Sequence, residues 1–242
     1  MRKVLLIALS FFGLSGYAQL SLDNNGVAAT IDFENTVPNV NNGNFNGTGI
    51  TQPPAAGQLH SNAWFIEGLS DGNSVIGGAY TTGDFARGLS TGGVSSGGFY
   101  AFDIGSDTAI GVQAAGSDFT PGSITLRTFN NTGLTLDSVR LTYTLHIYND
   151  QARGNSLNPS YSTDNITYNP LTTLNDTTPE LAAMTPAWIA IQKDTTFPLS
   201  LNNGDTLFIR WSSDDVLGGG SRDEIAIDDI SITPYASPAS TN

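Results

Sequence analysis

The chain contains no cysteine, only two histidines and two methionines, and nine lysines and arginines against 22 acids. Without cysteine no disulfide can form, so stability has to come from core burial, backbone pairing or bound ions. Two isolated histidines and no thiolate cannot assemble the usual zinc centres. A formal charge of −13 with no basic cluster opposes attachment to phosphate backbones, so nucleic acid is excluded as an expected partner. Helical periodicity is nearly absent too. The best helical stretch, Pro179 to Met184, is too short to organise a core.

The N-terminus carries a basic start (Met1-Arg2-Lys3), an apolar run from Val4 to Leu14, and small residues at Gly16-Tyr17-Ala18 before Gln19. That order is the one a cleavable signal peptide uses, and it predicts export with residues 1–18 removed. The run is short for a membrane span and no second one follows, so no transmembrane anchor is expected. Loss of Arg2 and Lys3 takes the charge from −13 to −15. The expectation is a secreted or cell-surface bacterial protein.

Beyond the leader, apolar residues alternate in short runs separated by Gly, Asn, Asp, Ser and Pro, the pattern of strands and turns. Val139, Leu141, Tyr143, Leu145 and Ile147 fall on one face of a strand, with Arg140, Thr142, Thr144, His146 and Tyr148 on the other. Leu207, Ile209 and Trp211 similarly oppose Phe208 and Arg210. Further strands are expected over 28–34, 63–68, 99–104, 109–113, 123–129 and 224–232, and a hairpin over 161–168 that turns at Asp164-Asn165. The spacing predicts an all-β protein, a jelly-roll-like antiparallel β-sandwich occupying 19–233 as one domain. Residues 37–61 and 77–98 read as long loops, and 234–242 as a linker-like tail.

Near the two ends stand Ile31-Asp32-Phe33-Glu34 and Glu224-Ile225-Ala226-Ile227-Asp228-Asp229-Ile230-Ser231-Ile232. This pair resembles the opening and closing strands of MAM domains, extracellular jelly-roll adhesion modules, although those usually carry disulfides. The ordered segments Gly92-Gly93 to Phe102, Ala109-Ile110-Gly111, Phe129 to Gly133, Leu141-Thr142-Tyr143, Phe208 to Trp211 and Ala226 to Asp229 are similar to those of secreted β-sandwich modules of Bacteroidota exported proteins. The resemblance implies a module working outside the cell.

Asp is disfavoured inside strands, so an Asp-Asp pair within the apolar run of 224–232 asks for a reason. Asp32, Glu34, Asp228 and Asp229 offer hard oxygen ligands, and the terminal strands of a sandwich can bring such distant acids together around a structural Ca2+. By simple alternation Asp228 shares a face with Ile230 and Ile232, which points it inward unless a bulge intervenes.

Arg127, Arg140 and Arg210 fall mid-strand on polar faces, and with His146, Tyr148 and Trp188 they form the expected ligand-binding set. If their strands share a sheet, this face suits a glycan, with rings stacking on sugars and arginines meeting hydroxyls or acidic groups. Trp64 and Trp211 are expected in the core. Three G-x-S-x-G pentapeptides, at 68–72, 88–92 and 93–97, match a serine-hydrolase pattern but lack the strand-to-helix elbow it requires. The expectation is therefore a non-catalytic module binding extracellular polysaccharide. A cell-surface adhesion or structural domain contacting another protein is the alternative, and a glycan-active hydrolase is third.

Overall fold

The computed structural model describes residues 19–237. The expected leader over 1–18 and the tail from 238 onward lie outside the described residues. Among the described residues eighteen strands, numbered in chain order, fall into three sheets. An eight-stranded sheet holds β1 (Leu20–Leu22), β6 (Trp64–Glu67), β10 (Gly122–Asn130), β12 (Arg153–Ser162), β13 (Asn169–Pro170), β14 (Asp176–Thr177), β16 (Thr206–Ser213) and β17 (Asp215–Gly218). A seven-stranded sheet holds β2 (Ala29–Ile31), β7 (Leu89–Ser90), β8 (Gly98–Ile104), β9 (Asp107–Gln113), β11 (Leu136–Tyr148), β15 (Trp188–Leu201) and β18 (Glu224–Tyr235). The short strands β3 (Asn41–Asn42), β4 (Ile50–Thr51) and β5 (Gln58–His60) form a third sheet. Pairing is antiparallel except for β1 on β10, β4 on β5 and β7 on β8.

The two large sheets pack face to face as a sandwich, as the alternation requires. Val139, Leu141, Tyr143, Leu145 and Ile147 of β11 meet Leu207, Ile209 and Trp211 of β16 and Leu126 of β10 in one buried cluster. Trp64 and Trp211 are fully buried there. Aliphatic and aromatic side chains of this size each contribute about 1.5–3 kcal/mol on burial, which is how the fold does without disulfides. The segment expected as a loop over 37–61 is instead part of the body. It carries Val40, Phe45, Ile50 and Leu59, all fully buried, so apolar residues scattered among Asn and Gly join the main core cluster.

Two long strands, β12 ahead of its hairpin and β15, went unread in the sequence, as did the short strands β1, β3, β4, β5, β7, β14 and β17. The strand β12 begins with polar residues, and β15 is an edge strand paired only with β11, where Pro198 and several charges are tolerated because one side of its backbone faces no neighbour. The expected hairpin exists with a longer connection. Ser160 pairs with Pro170 and Tyr161 with Asn169, so 163–168 forms the loop. Asp164 holds that loop by accepting the backbone N–H groups of Ile166 and Thr167, each at 2.8 Å. No helix forms at 179–184, and β18 runs on to Tyr235 inside the segment expected as tail.

The strand β18 lies in the middle of its sheet, between β11 and β9, and carries the feature that positions the first site. Thr142 pairs with Ser231 but Thr144 pairs with Asp228, so β18 holds one extra residue there. Asp229 sits at this bulge with φ of 50°. The bulge reverses the alternation: Ile225 and Ile227 face the core before it, Ile230 and Ile232 after it. Asp228 therefore shares a side with Ala226 and Glu224, on the outer face, and does not follow the inward direction that unbroken alternation gives.

Small residues keep a trough open on that outer face. A Cβ on Gly111 would lie 2.5 Å from the Ile225 carbonyl oxygen and 2.8 Å from the Phe102 ring, which lies over it. Gly111→Ala is accordingly expected to destabilise the protein by about 1–3 kcal/mol in urea melts, because the neighbours are backbone and a buried ring that has no room to move. A change within 0.5 kcal/mol would mean that the Phe102 ring relaxes freely.

Candidate functional site

Two features on opposite faces of the sandwich meet the chemistry expected from the sequence. On the seven-stranded sheet, Glu34, Asp107 and Asp228 each present a carboxylate oxygen, all within 4.8 Å of one another. Glu34 follows β2, where Phe33 adopts a φ of 56° and turns the chain. Asp107 opens β9, and Asp228 precedes the bulge in β18. Both carboxylate oxygens of Asp228 are fully buried and accept no hydrogen bond from the protein. Glu34 accepts the backbone N–H of Thr108 through Oε1.

Burial pushes Asp228 up to about 9, with Asp107, Asp229 and Glu34 adding repulsion. Burial likewise raises Glu34, against the lowering effect of the Thr108 N–H. An isolated carboxylate in such a place is costly, and a cation removes that cost. The donor set is all oxygen, which suits a hard divalent ion. A pocket of about 200 Å³ lined by Glu34, Asn44, Asp103 and Thr108 adjoins the group at Glu34.

Of the four acids expected as ligands, Glu34 and Asp228 come together; Asp32 and Asp229 do not join the group. The Asp32 carboxylate is spent on the turn after β2, accepting the Asn35 backbone N–H at 3.2 Å and side-chain Nδ2 at 2.9 Å. Asp229 is exposed at the bulge, where it accepts the Thr144 hydroxyl at 3.3 Å. Asp107 was not singled out, because nothing in its local sequence distinguishes it from the other strand-start acids. Only the pairing of β9 beside β18 brings it in.

The second feature is an open cleft of about 520 Å³ at one end of the eight-stranded sheet, lined by Glu67, Asn73, Ser123, Asn158, Ser212 and Asp214 among others. Hydroxyls, amides and carboxylates share its lining with Gly68, Pro121 and Gly122. Arg210 joins this wall to an aromatic plane: it pairs with Glu67 at 3.2 Å, donates to the Thr125 hydroxyl at 3.2 Å and stacks 3.8 Å above the Tyr168 ring. Tyr168 lies in the 163–168 loop that Asp164 braces.

The three arginines do not share one face. Arg127 and Arg210 project from the outer side of β10 and β16, whereas Arg140 belongs to β11 in the other sheet. The local alternation specifies inward or outward for each strand and carries no information on which sheet the strand joins. Each arginine is also engaged. Arg140 forms a two-pronged pair with Asp194 at 2.9 and 2.6 Å. Arg127 donates to the Asn62 carbonyl at 2.7 Å and lies 5.8 Å over Phe208, and burial lowers its affinity for the proton. His146, Tyr148 and Trp188 sit with Arg140 on the outer face of the seven-stranded sheet, Tyr148 and Trp188 with ring centroids 5.3 Å apart.

None of the G-x-S-x-G segments leads into an adjoining helix. Ser70, in the first, donates its hydroxyl to Asp84 at 2.5 Å. That contact braces the 70–87 segment, where Asp84 also pairs with Arg87.

No protein-family model matches the chain, and no curated protein matches it. Solved structures match at low similarity. The xylan-binding domain CBM22-1 of Xyn10C from Paenibacillus barcinonensis aligns with 89% of this chain and 99% of its own, at 8% identity and a TM-score of 0.40. The carbohydrate-binding module TmCBM27, described for mannan recognition, aligns with 59% of this chain and 84% of its own, at 15% identity and 0.38. The arabinose-bound α-L-arabinofuranosidase MgGH51 aligns with 58% of this chain, which spans 22% of that enzyme, at 14% identity and 0.37. The resemblance to MAM domains and to Bacteroidota modules gains no support from these matches. At such similarities the ligand has to be read from this chain's own side chains. Among the described residues no helix is long and apolar enough to cross a membrane.

Proposed function

We propose that this chain is a secreted, non-catalytic module that binds an uncharged extracellular polysaccharide in the cleft of the eight-stranded sheet and is braced by a structural calcium ion on the opposite sheet. The observation that carries the binding reading is the cleft itself: an open, polar wall from Glu67 to Asp214 flanked by the Arg210–Tyr168 stack. Hydroxyls of a sugar chain supply both donors and acceptors to such a wall, while a ring face rests on an aromatic plane. Glu67 already neutralises Arg210, and Glu67 and Asp214 line the cleft, so polyanionic glycans meet repulsion there.

Affinity electrophoresis of the protein in gels containing neutral or uronic-acid polysaccharides tests this. Retardation is expected in at least one neutral gel and in none of the anionic ones. Tyr168→Ala is expected to weaken retention about tenfold, the scale of one lost aromatic contact, with an unchanged melting temperature. Equal mobility of Tyr168→Ala and the parent protein in every retarding gel would place binding elsewhere.

A further inference from the structure

We propose that a second sugar-binding site lies on the outer face of the seven-stranded sheet, beneath residues 91–97, which act as a strap that lifts to admit the ligand. It rests on the carbohydrate reading above but uses none of the cleft residues. The outward positions of strands in a sandwich need no aromatic residues for packing, yet here they carry Tyr100 and Phe102 on β8, His146 and Tyr148 on β11 and Trp188 on β15. These rings form a continuous floor: Tyr100 to Phe102 at 5.4 Å, Phe102 to Trp188 at 4.9 Å, and Trp188 to Tyr148 at 5.3 Å. Ala226 and Gly111 beneath them leave the trough in which the rings lie.

Polar atoms beside this floor point to a ligand with hydroxyls. Glu224 is fully buried, and its Oε2 has only the Asp150 carboxylate beside it. Both ring nitrogens of His146 are buried without a hydrogen-bond partner. Glu224 is the cross-strand neighbour of Tyr148, which in turn pairs with Trp188, so carboxylate and rings stand in one row across the sheet. Buried polar groups left unpaired are uncommon and each carries a cost that a hydroxylated ring removes by bonding to them. Sugar rings present an apolar face to aromatic planes and hydroxyls at their edges, which fits a floor of rings with carboxylates and an imidazole beside it.

The strap is built to move. It runs between two diglycines, Gly92-Gly93 with φ of 105° and 71°, and Gly97-Gly98. Among the described residues, 91–97 make no backbone–backbone hydrogen bond to the rest of the fold. Side chains hold it instead: Glu224 accepts the Val94 N–H at 2.6 Å, Trp188 Nε1 donates to the Thr91 carbonyl at 2.9 Å, the Tyr100 hydroxyl donates to the Ser96 carbonyl at 2.8 Å, and Arg87 Nε donates to the Gly97 carbonyl at 2.8 Å. Val94 alone packs its side chain on the floor. Segments with few apolar contacts and no ladder open at small free-energy cost.

Trp188 reports on this site, because Trp64 and Trp211 are sealed in the core. The experiment is a fluorescence titration of the full chain with cellohexaose, xylohexaose and mannohexaose, repeated in Tyr168→Ala, Val94→Ala and Trp188→Phe. In Tyr168→Ala, which lacks the aromatic plane of the cleft, at least one sugar is expected to shift the emission still. Val94→Ala loosens the strap and is expected to tighten this event about fivefold. Trp188→Phe is expected to lose the signal while keeping cleft retention. If Tyr168→Ala and Val94→Ala show no emission change with any of the three sugars, the strap is a permanent cover and the second site is refuted. Retention in gels with that result leaves the cleft reading standing alone, and loss of all binding in the parent protein removes both.

Discussion

Removing divalent cations with excess EDTA is expected to lower the melting temperature by about 10 °C, and added calcium to restore it. A ligand that binds only the folded chain stabilises it by about 4 kcal/mol at a free concentration a thousand times its dissociation constant. For a chain of this length each kcal/mol moves the midpoint by about 2–4 °C. The effect is traced to one side chain, since Asp228 is the fully buried member of the group and has both oxygens unpaired. Asp228→Asn is expected to abolish the calcium response and, in EDTA at pH 8, to melt above the parent protein, because an amide is buried without the proton uptake that folding demands of Asp228 at that pH. Asp32→Asn is expected to retain the response, its carboxylate being committed to Asn35. An unchanged midpoint in EDTA, after elemental analysis shows the protein free of metal, would refute the cation brace.

The pH dependence of stability is expected to weaken when the metal is bound. In EDTA the two displaced carboxyls, Glu224 at about 8 and Asp228 at about 9, bind protons more tightly folded than unfolded. Burial is the main cause for both, with Asp150 beside Glu224 adding to it and the Val94 N–H opposing it. Their stabilising contribution is complete below the unfolded values near 4, and it is lost as pH rises through 8 and 9. The metal-free protein is thus expected to melt lower at pH 9 than at pH 5, with Glu224→Gln flattening the slope between about 5 and 8. Saturating calcium needs Asp228 ionised, so its own stabilisation grows with pH and opposes that slope. A metal-free midpoint that rises from pH 5 to pH 9 would show that these carboxyls are ionised in the folded chain.

The sequence revealed the strands whose two faces differ most. The alternation in 139–147 and 207–211 reappears residue for residue as core and outer face, because one side of each strand is apolar throughout. Asp228 was conspicuous for a sound reason, its place in an apolar run, but its direction was hidden, since the bulge at Asp229 is a backbone event that alternation cannot register. Asp107 and the aromatic floor were hidden for a related reason: both are made by strands brought side by side from distant parts of the chain. The edge strand β15 went unread because its outer flank is free of pairing and so places little demand on residue type.

One consequence follows from where β18 sits. The middle strand of the seven-stranded sheet is synthesised after every strand it pairs with, and until it arrives β11 and β9 have open flanks with nothing to pair between them. Pairing of this kind spans most of the chain and forms slowly. A nascent or partly threaded chain therefore cannot close the sandwich, and a chain cut short of residue 224 would keep two half-sheets with sticky edges prone to join other copies.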